Sequence, residues 1–174
     1  MIVSLSIIRY KKIFIPFALL SMAIHRLPLW LNKEISFYKL MGSGKNGSFD
    51  KNPDWQQWAV LTVQCLKFTD QNWRHDNSSQ YAINRQLYGS FIAKWFSFFK
   101  CETFTMLLDP IESHGLWDGK KVFGELPAKS DYEGPVAVLT RATIRINKLK
   151  YFWQNVAPVT EKMNTANGFI FSVG

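Results

Sequence analysis

Residues 134–145 read GPVAVLTRATIR, and their last two residues open the pattern Ile144-Arg145-x-x-Lys148, which also stands at Ile8-Arg9-x-x-Lys12. Each copy straddles the passage from a β-branched stretch into an apolar helical one. Ile2 to Tyr10 is short, rich in Ile and Val, and bounded by Lys11-Lys12, which is the pattern of a strand. Residues 13–31 (IFIPFALLSMAIHRLPLWL) follow as a helix, with Pro16 tolerable in its first turn. In the second copy, Pro135 to Ile146 reads as a strand. From Lys148 a helix sets Leu149, Phe152, Trp153, Val156, Val159 and Met163 along one stripe. Asn147 is placed to cap this helix, Pro158 to kink it and Asn167-Gly168 to end it, before another strand from Phe169 to Val173.

Between the two copies the pattern completes one full unit. Ile35 to Met41 predicts a second strand, closed by Gly42-Ser43-Gly44. Trp55 to Gln64 predicts a third, apolar on both faces and therefore central. Residues 67–80 are polar and turn-rich. A helix follows in which Tyr88, Phe91, Ile92, Trp95, Phe96 and Phe99 share a stripe, and then a fourth strand runs from Thr103 to Leu108. The order β-α-β-β-α-β is that of ferredoxin-like folds. The chain thus divides into a first repeat (1–109), an irregular connector (110–133) and the first half, β-α-β, of a second repeat (134–174). A half-repeat leaves an unpaired edge and an uncovered apolar face, so its C-terminal continuation is expected to be missing, or the edge to be covered by another chain.

Composition narrows the function classes. Apolar residues make up 47% and aromatics 16%, which excludes a disordered chain and suits a large core or an apolar ligand pocket. The net charge of +8 is scattered in single residues and pairs, so it does not mark a nucleic-acid surface. Cys65 and Cys101 stand in no metal or redox motif, which points to a reducing cytoplasm. The apolar run from Ile13 to Ile24 is too short to span a bilayer, and His25, Arg26 and Pro28 interrupt it, leaving a buried helix with peripheral membrane contact open.

Three places could carry chemistry. Residues 40–49 (LMGSGKNGSF) form a Gly-rich loop around Gly44 and Lys45, either a turn or a pocket-lining loop, but lack the spacing of a Walker A loop. The connector sequence Ser113-His114-Gly115-Leu116-Trp117-Asp118-Gly119 brings imidazole, indole and carboxylate together on one loop. His114 could serve as haem ligand or general base, and the alternative is a turn whose His and Trp pack. On the strand 135–146, Val136, Val138, Thr140, Ala142, Ile144 and Ile146 share one face while Arg141, Thr143 and Arg145 share the other. The two arginines could hold a carboxylate or pair with acidic neighbours. His25 reads as a packing residue and His75 as solvated. The three histidines lack zinc spacing, and no hydrolase elbow or dinucleotide fingerprint is present.

Four segments together resemble the spheroidene monooxygenase family: LMGSGKNGSF (40–49), ESHGLWDG (112–119), GPVAVLTRATIR (134–145) and FWQNVAPV (152–159); the stretch ALLSMAIHRLPLW (18–30) is similar to its first helix. The resemblance implies two fused ferredoxin-like halves in a dimeric-α+β-barrel type of fold. It also implies oxygenation of a carotenoid or other apolar substrate, with haem as cofactor, molecular oxygen as co-substrate and an electron donor as partner. On that reading His114 is the candidate iron ligand and catalytic residue. Arg141 and Arg145 hold propionates, and Trp117, Gly44 and Lys45 line the pocket. A cofactor-free oxygenase and a truncated, non-catalytic ligand-binding or interaction protein are the alternatives, and a homo-oligomer stays open.

Overall fold

The structure, a computed structural model, describes residues 1–45, 52–64, 79–141 and 144–170. The first strand, β1 (Ile2–Arg9), runs through a short 3₁₀ turn (Lys12–Phe14) into helices α1 (Ile15–Ile24) and α2 (Arg26–Leu31). Strands β2 (Ile35–Gly44) and β3 (Pro53–Gln64) follow, then helices α3 (Gln80–Tyr88) and α4 (Ser90–Phe98), and strand β4 (Glu102–Leu108). The strands form one sheet in the order β2-β3-β1-β4, and β1 pairs antiparallel with both β3 and β4. Element order and strand order together are those of an α+β, ferredoxin-like topology, with β1 and β3 central as their apolar faces predict.

Two helices expected as single runs are each divided. The first breaks at His25 because Pro28, without an N–H, cannot bond the carbonyl of Ile24, the last residue of α1. Backbone bonds from His25 to Ser21 and from Leu29 to His25 still carry the chain through the break. The second divides at Gly89, whose φ of 87° and ψ of 167° lie where side-chain-bearing residues are strained. Ser79 caps α3 through its hydroxyl, which accepts from the Ala82 N–H.

The helices cover one face of the sheet. Ile8, Tyr10, Val60, Leu87, Tyr88, Ile92, Phe96 and Phe99 are buried between the layers together with Ala18 and Leu29. Polar groups on the same sheet face form a continuous run: Ser4 Oγ bonds Thr62 Oγ1 at 2.7 Å and the Tyr88 hydroxyl at 3.3 Å, Tyr88 donates to Ser6 Oγ at 2.6 Å, and Ser6 Oγ bonds Thr105 Oγ1 at 2.6 Å. The opposite face holds a second cluster, Val3, Leu61, Val63 and Trp117, with Leu5, Phe37, Met41, Leu108, Val122 and Phe123 against it.

The chain falls into two units, Met1–Met41 with Gln56–Gly134, and Gly42–Trp55 with Pro135–Gly174. The second contains a 3₁₀ turn (Ile146–Lys148) leading into helix α5 (Leu149–Asn164). The backbone that leads into α5 closely repeats the one that leads into α1. The residue before the turn has φ/ψ of −64°/148° at Lys11 and −65°/136° at Arg145, and the turn-closing N–H···O distance is 2.8 Å in both. The residue before the α-helix has −100°/12° at Phe14 and −108°/0° at Lys148. The matching positions are therefore Lys11 and Arg145, two residues out of step with the Ile-Arg-x-x-Lys match.

Other expectations for this unit are corrected. Asn147 does not cap α5; it lies inside the 3₁₀ turn, and Lys148 occupies the cap position without a side-chain bond. The helix ends at Asn164, ahead of the expected Asn167-Gly168, and Gly168 (φ 81°) instead sits in a turn closed by Phe169 N–H on the Ala166 carbonyl. Residues 135–141 and 144–145 form no strand, although their composition predicts one. A strand is defined by bonds to a neighbour, and this segment forms no ladder among the described residues, leaving Val136 and Val138 exposed. Ala142, Thr143, Cys65, His75, most of the polar loop 67–80, and the expected final strand beyond Ile170 lie outside the described residues.

Gly89→Ala is expected to cost roughly 1–3 kcal/mol. A Cβ there would meet nothing within 4 Å, so the cost is conformational. A denaturant midpoint equal to that of the parent would show that the break between α3 and α4 does not depend on glycine.

Candidate functional site

On the sheet face away from the helices, alternation along each strand sets apolar side chains side by side: Val3 and Leu5 from β1, Leu61 and Val63 from β3, Phe37 and Met41 from β2, and Leu108 from β4. The connector closes part of this face. Trp117 is buried there, its ring 6.2 Å from Phe37 and 5.6 Å from Phe123, both edge-on. Its backbone is fixed by paired bonds with Lys120 at 2.9 and 3.0 Å. The two residues between, Asp118 (φ 50°) and Gly119 (φ 79°), both have positive φ, the geometry of a type I′ turn that Asp-Gly favours. Lys39 Nζ donates to Asp118 Oδ2 at 2.8 Å and ties the turn to β2.

His114 precedes this turn. Its side chain is 68% exposed, and Nε2 lies 3.5 Å from Glu112 Oε1. Metal-ligating histidines commonly turn their second ring nitrogen to a carboxylate at hydrogen-bonding distance; here the approach is looser, between two exposed side chains. An exposed imidazole is a donor of the type that would hold a haem iron. Among the described residues, no cluster of His, Cys, Asp or Glu is set to hold a bare metal ion.

Of the residues singled out from sequence, the structure brings His114 and Trp117 together on the connector of the first unit. Trp117 is a packing residue that shapes the apolar face. Gly44, Lys45, Arg141 and Arg145 belong to the second unit. Gly44 is buried at the end of β2, and the Lys45 N–H donates to the Asn52 carbonyl at 3.0 Å, so the described part of the Gly-rich loop is a strand connection. Arg141 and Arg145 are exposed. Among the described residues this segment joins no sheet, so the two arginines do not share a strand face there.

Sequence reading missed Lys39 and Glu112, which orient the connector and its imidazole. Lys39 stands two residues from both Phe37 and Met41 on β2, and that period of two is the signal that could have placed it on their face.

Other titratable groups are buried under the helices. Tyr10 accepts from the Trp95 indole N–H at 3.0 Å and contacts Ser21 and Cys101; burial raises its pKa and pushes the Cys101 thiol up to about 12. Cys101 is thus an inert core thiol. His25 lies among Phe91, Trp95 and Phe96, with ring centroids 5.4 to 6.2 Å away, and its Nε2 has no partner among the described residues. Burial pushes it down to about 4.

The sheet order and helix layer define an α+β protein, and its candidate site is the sheet face that the anchored connector partly covers. Compared with known proteins, the chain is 28% identical to a spheroidene monooxygenase of Rhodobacter capsulatus over 175 residues, which cover 99% of this chain and 67% of that protein. It is 28% identical to a spheroidene monooxygenase of Cereibacter sphaeroides over 176 residues, covering 99% and 49%. A spheroidene monooxygenase of Rubrivivax gelatinosus is 42% identical over 65 residues, 37% of this chain and 25% of that protein. The chain therefore bears a family-level resemblance to spheroidene monooxygenases, and it spans about half to two thirds of the length of the first two. No family model and no solved structure matches it.

Two outcomes are expected. Trp117→Ala should cost about 3–5 kcal/mol and expose the connector to protease, whereas Lys39→Gln, at a part-exposed pair, should cost less than about 1 kcal/mol; equal midpoints for the two variants would contradict this. For His25, the folded pKa of about 4 lies below the unfolded 6.5, so the folded state binds fewer protons in between and stability rises with pH across that window. From pH about 7 to about 4 the parent should lose roughly 3 kcal/mol more than His25→Leu. Parallel pH curves would place the titration elsewhere.

Proposed function

We propose that this chain is an oxygenase of a carotenoid or similar apolar substrate, and that it works with haem. The observation that carries the reading is similarity to spheroidene monooxygenases along 99% of the chain, including the connector that roofs the apolar sheet face. Leu5, Phe37 and Met41, partly exposed around the buried Val3, Leu61 and Val63, are the apolar side chains that a hydrocarbon would meet beside the connector. Trp117 sets the depth of that surface, and the Asp118-Gly119 turn, held by Lys39, keeps the indole in place. His114 would hold the iron through the ring nitrogen that Glu112 does not face. When bound, haem supplies the activation of molecular oxygen, with electrons from an external donor.

A second reading, a non-catalytic binding module, is favoured by the second unit. There Val138, Ile146 and Ile170 are exposed and α5 has no fully buried residue. This unit would then be a partner-binding surface.

Titration of the folded chain with haemin separates the readings. The expected result is a saturable, one-to-one Soret shift that weakens at least tenfold in His114→Ala, with Glu112→Gln intermediate. Arg141→Gln and Arg145→Gln in the same titration test the propionate role of those side chains. A shift unchanged in His114→Ala would move the ligand elsewhere, and no shift in a folded sample would end the haem reading.

A further inference from the structure

The helical layer of the first unit is apolar on its outside as well as its inside. In the segment Lys12–Leu31, Ala18, Ser21, His25 and Leu29 are buried at spacings of three and four and seat the helices on the sheet. The outward side carries Ile13 (77% exposed), Phe17, Leu20, Leu27 (60%) and Leu31, with Trp30 (71%) beside them. The patch continues onto α4: Phe17 and Phe98 lie 4.9 and 5.0 Å from the same Phe99 ring, and Phe98 and Phe91 are exposed. So wide an apolar exposure marks an interaction surface.

Charge selects the occupant. Five basic residues and no acidic one precede Glu34. None of α1, α2, α3 and α4 contains an Asp or Glu, while Lys11, Lys12, Arg26, Arg85, Lys94 and Lys100 on or beside them are exposed. A second copy of the same helix would need charged flanks of both signs along its seam; here the flanks are Leu19, Ala23 and Trp30, with cations at the ends. Apolar side chains ringed by lysine and arginine, with a tryptophan at the border, match the boundary of an anionic bilayer.

We propose that α1, α2 and α4 dock this protein flat on an anionic membrane surface. The inward face stays on the sheet, so the segment lies in the interface and does not span it. The proposal requires neither haem nor oxygenation.

The test is co-sedimentation of the full chain with phosphatidylcholine vesicles, with and without a minority of phosphatidylglycerol. Binding is expected to the anionic vesicles, weakened about tenfold or more by Leu20→Gln with Leu27→Gln and likewise by Lys11→Gln with Lys12→Gln. Circular dichroism reports the fold of each variant. Should the leucine pair fail to fold, the lysine pair, at exposed positions outside α1, decides alone. A folded parent that ignores both vesicles, equal binding to both, or binding unchanged in the variants would overturn the proposal. So would a leucine pair that turns a concentration-dependent dimer into a monomer while vesicle binding stays the same.

Discussion

The first unit depends on β1 being hydrogen-bonded along both edges in one register. Its neighbours β3 and β4 hold it from Ile2 to Arg9, and alternate side chains serve different layers. Ser4, Ser6 and Ile8 face the helices, while Val3 and Leu5 face the apolar site. A slip of one residue would exchange the two sets. It would carry two hydroxyls into a hydrocarbon surface and strand the Tyr88 hydroxyl, at about 1–3 kcal/mol for each unpaired group. The pairs Ser4–Thr62 and Ser6–Thr105 act as register marks, one on each ladder.

From that register follows the division of labour between the two faces. The helix side combines a packed core with a continuous run of bonded hydroxyls and a histidine kept neutral by burial. On the opposite side, Val3, Leu5, Leu61 and Val63 lie under the connector, Lys39 meets Asp118 at one margin, and Arg9 donates to Gln57 at the far end of the strands. The connector reaches this margin through one buried indole and one tight turn, so the imidazole of His114 is presented by a loop whose root is rigid although its side chain is exposed. The family-level resemblance to spheroidene monooxygenases runs along 99% of the chain and so takes in both the connector and the sheet face beneath its indole.

Much of the fold was legible because strands announce themselves by alternation. β1 to β4 lie within a few residues of where Ile2, Ile35, Trp55 and Thr103 placed them, and the βαββαβ order followed. The helices were legible as apolar stripes, but not their divisions: Pro28 and Gly89 were visible in the sequence, and the stripes that run across them masked their effect. Residues 135–146 mark the limit of local reading, because composition describes a segment's aptitude for a sheet and not the presence of a partner strand. In the site, Trp117 could be read from its motif, whereas Lys39 and Asp118 meet across 79 positions of sequence, a pairing that only the folded register brings about.

The two turns that lead into α1 and α5, Lys11–Ile15 and Arg145–Leu149, share a backbone but not the numbering of their sequence match, and the offset is two residues. In an extended chain two residues is one full side-chain period. Ahead of α1, where β1 is paired on both edges, an insertion or deletion of that length leaves every inward group inward, whereas one of a single residue turns the segment inside out. Length variation between β1 and α1 is therefore quantised, and an alignment of related chains should show gaps there in even steps.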